Sequence, residues 1–241
     1  MSFPVRAITL DLDDTLWPFA PLGEQAERAM HAWLETHCPR TASRFHPEAM
    51  HALRLELNAE HAHLAHDFSR MRLLTLERAL REAGDDPARA AEGFEVFFAA
   101  RNAVECYPDA IDALRRLAAH VPLMALSNGN ADLARTGLAE HFRGSLNASA
   151  HGAPKPVASI FLAACETLGA APAEVLHVGD DIELDVVGAA RAGLRTCWID
   201  REGRDWPHAD PVPDLHFDTL AALADWLDAQ ARRRTTDTAA A

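Results

Sequence analysis

A small set of polar residues stands where carboxylate, hydroxyl and ammonium chemistry can be done. Asp11 and Asp13 lie in "ITLDLDDTLW" (8–17), directly after an apolar run. Ser127 and Asn128 close "VPLMALSN" (121–128). Lys155 lies in "HGAPKP" (151–156), and Asp180 and Asp185 lie in "HVGDDIELD" (177–185). A carboxylate at a rigid strand end can act as a nucleophile and form an acyl phosphate; Asp11 is best placed for it. Asp13, two residues on, shares a side with Asp11 in extended backbone. It can protonate a leaving-group oxygen and then activate water. Carboxylates this close repel, and burial raises the cost. A hard cation between them removes the conflict, and oxygen-only donors suit Mg²⁺. Asp11, the Asp13 carbonyl and Asp180 supply three ligands, with Asp185 in support behind them. Ser127, the backbone amides near Asn128 and the Lys155 ammonium can stabilise the charge on a phosphoryl group in transfer. Thr15 is placed to order the turn after Asp13, Asp181 to cap the next helix, and Asp14 to face solvent.

These residues need elements to hold them. "AITLDLD" (7–13) reads as a buried strand. From 18 to 104 strand signals are almost absent, and 23–37, 47–84 and 87–104 carry helical spacing, with Gly84 and Pro87 as a stop and a restart. From 105 on, strand and helix alternate. Helices are expected at 108–120, 131–142, 156–169 and 182–193, with a last one in 215–231. Strands are expected at 121–128, 144–150, 174–180 and 195–200, with a short one near 215. This alternation predicts an α/β fold, a parallel sheet with helices on both faces. In such a sheet ligands bind beyond the carboxyl ends of the strands. Asp11, Ser127, Lys155 and Asp180 all fall on that edge. The expected division is a core of 1–17 and 105–231, a helical insert of 18–104, and a disordered tail of 232–241.

Composition narrows the function. The 241 residues are 49% hydrophobic with a net charge of −13, which speaks against a nucleic-acid footprint. No run of 18 apolar residues suggests a membrane span. Four scattered cysteines, without a C-x-x-C pair, fit free thiols in a reduced cytoplasm. No G-x-G-x-x-G is present, and "SNGN" is not a phosphate-binding P-loop, because no Gly-Lys-Ser/Thr follows.

"DLDDTLW", "LSNGN", "GAPKP" and "HVGDDIELD" resemble, in order, the four motifs of the haloacid dehalogenase superfamily. The resemblance spans the whole core. It implies a Rossmann-like core with an α-helical cap inserted after the first motif. It also implies an Asp11 nucleophile, Asp13 as general acid/base, phosphate binding by Ser127, a steadying Lys155, and Mg²⁺ held by Asp180 with help from Asp185. Dehalogenase members lack the second aspartate, since halide leaves without a proton, so Asp13 implies a phosphatase. "LSNGNA", "HGAPKP" and "LHVGDDIELDVVGAARAGLRTCWID" are similar to bacterial flavin mononucleotide hydrolases, which also act as 5-amino-6-(5-phosphoribitylamino)uracil phosphatases. The implied partner is a small phosphorylated metabolite; a cytoplasmic protein is expected from the cysteine usage, and monomer and homodimer both stay open. Alternatives are a phosphatase of sugar phosphates or other metabolites with broad specificity, a catalytically silent binding protein, a phosphomutase and a receiver domain. The last lacks a helical insert and has no use for Asp13.

Within the insert, Arg70 and Arg72 are candidates to meet a substrate phosphate or carbonyl. His61, His63 and His66 fit a polar helix surface better than a transition-metal site. His177 is expected to be a core residue of its strand.

Overall fold

The computed structural model describes residues 3–239, with backbone alone from 234 on. Two compact units divide the chain. The first comprises the N-terminal segment through Pro18, residues 105–128 and residues from 137 on; the second comprises 19–104 and 129–136.

The first unit is built on six parallel strands: β1 (Ala7–Leu10), β2 (Leu123–Ser127), β3 (Gly144–Asn147), β4 (Val175–Gly179), β5 (Arg195–Ile199) and β6 (Leu215–Phe217). Their order is β3-β2-β1-β4-β5-β6. Every residue of β1, β2 and β4 is buried, as expected for strands covered on both faces. Ala7, Met124 and Val175 pack against Ile160, Phe161 and Ala164 of the helix Ala158–Leu168. Their neighbours Ile8, Leu10, Leu176 and Val178 point to the opposite face and are equally sealed from solvent. In register, Ile8 pairs with Leu123 and with Leu176. Continued two residues beyond Leu10, this pairing brings Leu12 level with Ser127 and Asp180, so the polar residues gather at one sheet end.

Several boundaries differ from the sequence expectation. The helix expected at 131–142 is two short turns, Leu133–Thr136 and Ala139–His141. Gly137, at φ 78°, breaks it, and its first half belongs to the second unit. The strand expected at 144–150 stops at Asn147, whose side chain caps the turn Ala148–His151 by accepting from Ala150 N–H. The helix expected at 182–193 opens as a π-helix, Ile182–Val187, before the α-helical turn Gly188–Arg191. The last helix runs Leu220–Ala239. Its backbone therefore continues through most of the segment expected to be a disordered tail; Ala240 and Ala241 lie outside the described residues.

The second unit is helical: Phe19–His37, Pro39–Arg44, Pro47–Glu60, Phe68–Ala83 and Ala90–Arg101, with shorter turns between. Leu22, Ala26, Met30 and Leu34, at i,i+4 spacing, form the buried stripe of the first helix. Met30 and Leu34 join Leu53, Leu57, Leu76, Leu80 and Phe97 in one core. The stretch 47–84 is two helices, broken near His61–Asp67. The expected stop at Gly84 is a left-handed C-cap at φ 79°. Among the described residues, no helix is long and apolar enough to cross a membrane.

Candidate active site

The chemistry-bearing residues of the first unit converge at the carboxyl ends of β1, β2 and β4. Asp11 follows β1 directly, and its N–H still donates to Val178 O at 2.9 Å. Ladder geometry thus fixes its backbone. The chain then turns: Asp14 adopts φ 57° and is exposed, and its N–H donates to Trp17 O at 2.7 Å. Thr15 Oγ1 donates to Asp180 Oδ1 at 3.0 Å, which ties this turn to the one after β4. Trp17, fully buried, donates its indole N–H to Asp13 Oδ1 at 2.8 Å.

Lys155 lies between two carboxylates. Its Nζ is 2.5 Å from Asp11 Oδ1 and 2.6 Å from Asp185 Oδ1, and all three residues are buried. The loop that delivers it is held by Asn128. The Asn128 side-chain carbonyl accepts from Lys155 N–H at 2.7 Å, and its amide donates to Lys155 O at 2.9 Å. The expected phosphate contact at 128 concerned backbone amides; the side chain is occupied in positioning Lys155. Ser127 ends β2 and is buried.

Asp185 is held by donors on both oxygens. Oδ1 accepts from Lys155 and faces His177 Nε2 at 3.0 Å, and Oδ2 accepts from Asp181 N–H at 3.1 Å. The other ring nitrogen of His177 lies 2.8 Å from Thr9 Oγ1. His177 is a core residue of β4, as expected, and it also fixes a site carboxylate. Asp181 is the cap expected of it, accepting from the N–H groups of Glu183 and Leu184. Gly179 leaves room for Asp185: a Cβ there would meet Asp185 Oδ2 at 2.2 Å.

The electrostatics are those of a crowded acidic site. Burial raises the Asp11 pKa well above its ordinary value; Lys155 opposes this, and Asp185 and Asp180 reinforce it. Burial and the Asp185 charge push Asp180 up to about 7. Asp185 goes the other way: burial opposes ionisation, but Lys155 and His177 outweigh it and hold the carboxyl well below its usual value. Lys155 is held above its ordinary pKa by Asp11 and Asp185, against the effect of burial. Burial lowers His177, with Asp185 in opposition.

One oxygen each from Asp11, Asp180 and Asp185 lie within 4.8 Å of one another. The donors are all carboxylate oxygens, two of them strained by mutual charge, and this set fits a hard dication such as Mg²⁺. Asp185, already engaged by Lys155, His177 and a backbone N–H, fits the supporting role. The Asp13 carboxylate is outside this cluster. Among the described residues this is the one group of three or more side chains able to hold a metal, and His61, His63 and His66 are not in it.

The two arginines of the helical unit separate. Arg72 Nη1 pairs with Glu27 Oε1 at 2.9 Å, and its guanidinium stacks 3.6 Å from the Phe97 ring centroid. Both contacts lie inside its own unit. Arg70 is exposed at the start of the helix Phe68–Ala83, where its N–H donates to the capping Asp67.

Comparison with known proteins gives a family. The model of the haloacid dehalogenase-like hydrolases matches residues 5–193. The 5-amino-6-(5-phospho-D-ribitylamino)uracil phosphatase YigB of Escherichia coli K12 is 34% identical over 227 residues, covering 91% of this chain and 94% of that protein. A phosphoserine phosphatase of Thermus thermophilus is 40% identical over 156 residues, 59% of this chain and 61% of its own length. Among solved structures, a protein described as 2-haloacid dehalogenase from Pseudomonas syringae pv. Tomato superposes with a TM-score of 0.86. It is 35% identical, over 93% of this chain and 98% of that one.

Proposed function

The chain belongs to the haloacid dehalogenase-like hydrolases, and from that membership we propose that it is a Mg²⁺-dependent phosphatase of a small phosphorylated metabolite, working through an aspartyl-phosphate on Asp11. The observation that carries the reading is Lys155, buried between Asp11 and Asp185 with Asp180 alongside. Asp11, Asp180 and the Asp13 carbonyl would hold Mg²⁺, which when bound neutralises the clustered carboxylates and the phosphate. Lys155 occupies Oδ1 of Asp11 and so leaves Oδ2 for attack on phosphorus. The new O–P bond forms as the ester P–O bond breaks. Asp13, held by Trp17, gives its proton to the departing alkoxide and then takes one from the water that cleaves the acyl phosphate. Ser127 and Lys155 stabilise the equatorial oxygens.

The likeness to YigB supports 5-amino-6-(5-phosphoribitylamino)uracil as the first substrate to try, and the resemblance of the motifs to flavin mononucleotide hydrolases adds flavin mononucleotide. A second reading has an observation behind it, the resemblance to a protein described as a haloacid dehalogenase. Asp13 favours the phosphatase, because an alkoxide must be protonated and a halide need not be. Arg70 is proposed as the substrate contact contributed by the helical unit. A cytoplasmic monomer or homodimer is the proposed setting. The test is phosphate release from those two esters, sugar phosphates, nucleotides and phosphoglycolate, together with halide release from a 2-haloacid, with Mg²⁺ or EDTA. Mg²⁺-dependent phosphate release that vanishes in Asp11→Asn is expected. Halide release without phosphate release would overturn the reading.

A further inference from the structure

The segment that leaves β5, Asp200 to Arg204, sends two arginines to the two turns of the site. Arg201 Nη2 donates to Thr15 O at 3.1 Å, the backbone of the turn that follows Asp11 and Asp13. Arg204 Nη2 donates to Asp180 O at 2.9 Å, the backbone of the residue that carries a site carboxylate. Each arginine is anchored in turn. Arg201 pairs with Asp109 at 3.0 Å and lies 3.9 Å from the Tyr107 ring centroid. Arg204 pairs with Asp200 at 3.2 Å, a carboxylate almost wholly buried. Trp198, the fourth residue of β5, donates its indole N–H to the same Asp180 carbonyl at 3.0 Å. The Thr15–Asp180 hydrogen bond joins the two turns between the arginines.

We propose that Arg201 and Arg204 are positioning residues that clasp the Thr15 and Asp180 turns and so set the spacing of the carboxylates that hold the metal. The inference rests on the Mg²⁺ reading above, but it is tested by metal binding itself. Outer contacts that orient metal ligands commonly change affinity 10–100-fold when lost. Neither arginine reaches the carboxylates directly in the contacts described; each acts through a backbone carbonyl.

The sign of the effect separates clasping from charge. Removing a cation near an acidic site should tighten binding of a dication by Coulomb's law, more so where Asp200 and Glu202 lose their partner. Removing a clasp should weaken it. Mg²⁺ titrations of the full-length protein by calorimetry, with circular dichroism melts as the folding control, read the difference. Arg204 is 38% exposed in its side chain, so Arg204→Ala is expected to keep its fold and bind Mg²⁺ about tenfold more weakly, near the lower end of that range. Its half-saturating Mg²⁺ for turnover should rise in parallel, with kcat at saturating Mg²⁺ nearly unchanged. Arg204→Lys, which can still donate to the carbonyl, should recover part of the loss. Arg201→Lys keeps the charge and gives up the fork, so it should also weaken binding. Affinity unchanged within about twofold or tighter in both Arg204→Ala and Arg201→Lys overturns the proposal. If the wild type binds Mg²⁺ but hydrolyses no phosphate ester, the functional reading fails and the clasp is still decided by these affinities.

Discussion

Gly179 and Asp185 approach so closely that a methyl group on the glycine would stand 2.2 Å from Asp185 Oδ2 and 2.3 Å from its carboxyl carbon. Gly179 is not among the positive-φ glycines, so the requirement is for space and not for a left-handed backbone. The chain ends β4 with the one residue that lets the π-turn bring Asp185 back against the strand.

Gly179→Ala should therefore misplace Asp185, and with it Lys155 and His177. The expected loss in kcat/KM is about 100-fold, the scale set by a misplacement near 1 Å. Overpacking should cost about 1–3 kcal/mol of stability. Steady-state phosphate release and a thermal melt check both; activity within threefold of wild type would mean that the site tolerates a displaced Asp185.

Trp17 offers a milder perturbation of a different group. Its indole N–H is a donor only, and it holds one oxygen of Asp13 at 2.8 Å. Trp17→Phe keeps most of the buried ring and deletes that bond. If Asp13 must be oriented to move protons, kcat should fall about tenfold, within the range general acid–base catalysis contributes, with little change in KM. An unchanged kcat would show that Asp13 needs no help from the indole.

Asp11, Ser127, Lys155 and Asp180 were legible in the sequence because each stands just past an apolar run or in the loop after one, and a parallel sheet brings such places together. His177 was legible only as core. Its ring joins Thr9, 168 residues away, to Asp185, and no local periodicity carries a contact at that separation. The need for Gly179 is not legible locally, since it depends on a carboxylate folding back from the π-turn. The sequence placed Arg72 as readily at a substrate as Arg70, since both lie on one helix, and only the positions of Glu27 and Phe97 distinguish them. The helix expected at 131–142 is interrupted because Gly137 adopts φ 78°, a backbone state that apolar spacing alone does not signal.

In the helical unit, Asp85 ties the loop after Gly84 to the helix Pro39–Arg44. It accepts from Thr41 N–H at 2.9 Å, Thr41 Oγ1 at 2.8 Å and Arg40 Nε at 3.0 Å. Burial favours the neutral acid, but the Thr41 hydrogen bonds and Arg40 outweigh it, so the Asp85 pKa lies below its ordinary value. A carboxyl lowered in the fold stabilises above its unfolded pKa of about 3.9 and loses that contribution as pH falls through the folded value. Asp85→Asn should cost about 1–2 kcal/mol at pH 7, mostly through Thr41, since Arg40 is exposed and its pair is screened. The gap between variant and wild type should narrow below about pH 4. Urea titrations at pH 7 and pH 3 measure it, and a gap that is constant with pH would remove Asp85 ionisation as its source.

Arg70 and Arg72 should respond in opposite ways to the same truncation. Arg72 has only 14% of its side chain exposed. Burial lowers its pKa against the opposing Glu27 charge. Arg72→Ala removes a charge-assisted hydrogen bond and a stacked cation together, with a cost of about 2 kcal/mol expected. Glu27 keeps Arg54 at 2.6 Å, so the carboxylate is not left bare and the unit should still fold. Arg70 is exposed and holds its helix through its backbone alone, so Arg70→Ala should leave stability within about 0.5 kcal/mol. If its guanidinium meets a substrate anion equally in ground and transition states, KM should rise with kcat unchanged. Melts and steady-state kinetics on the two single variants separate these outcomes. A stable Arg72→Ala with raised KM, beside an unaffected Arg70→Ala, would reverse the two roles and would mean that Arg72 leaves Glu27 and Phe97 when substrate binds.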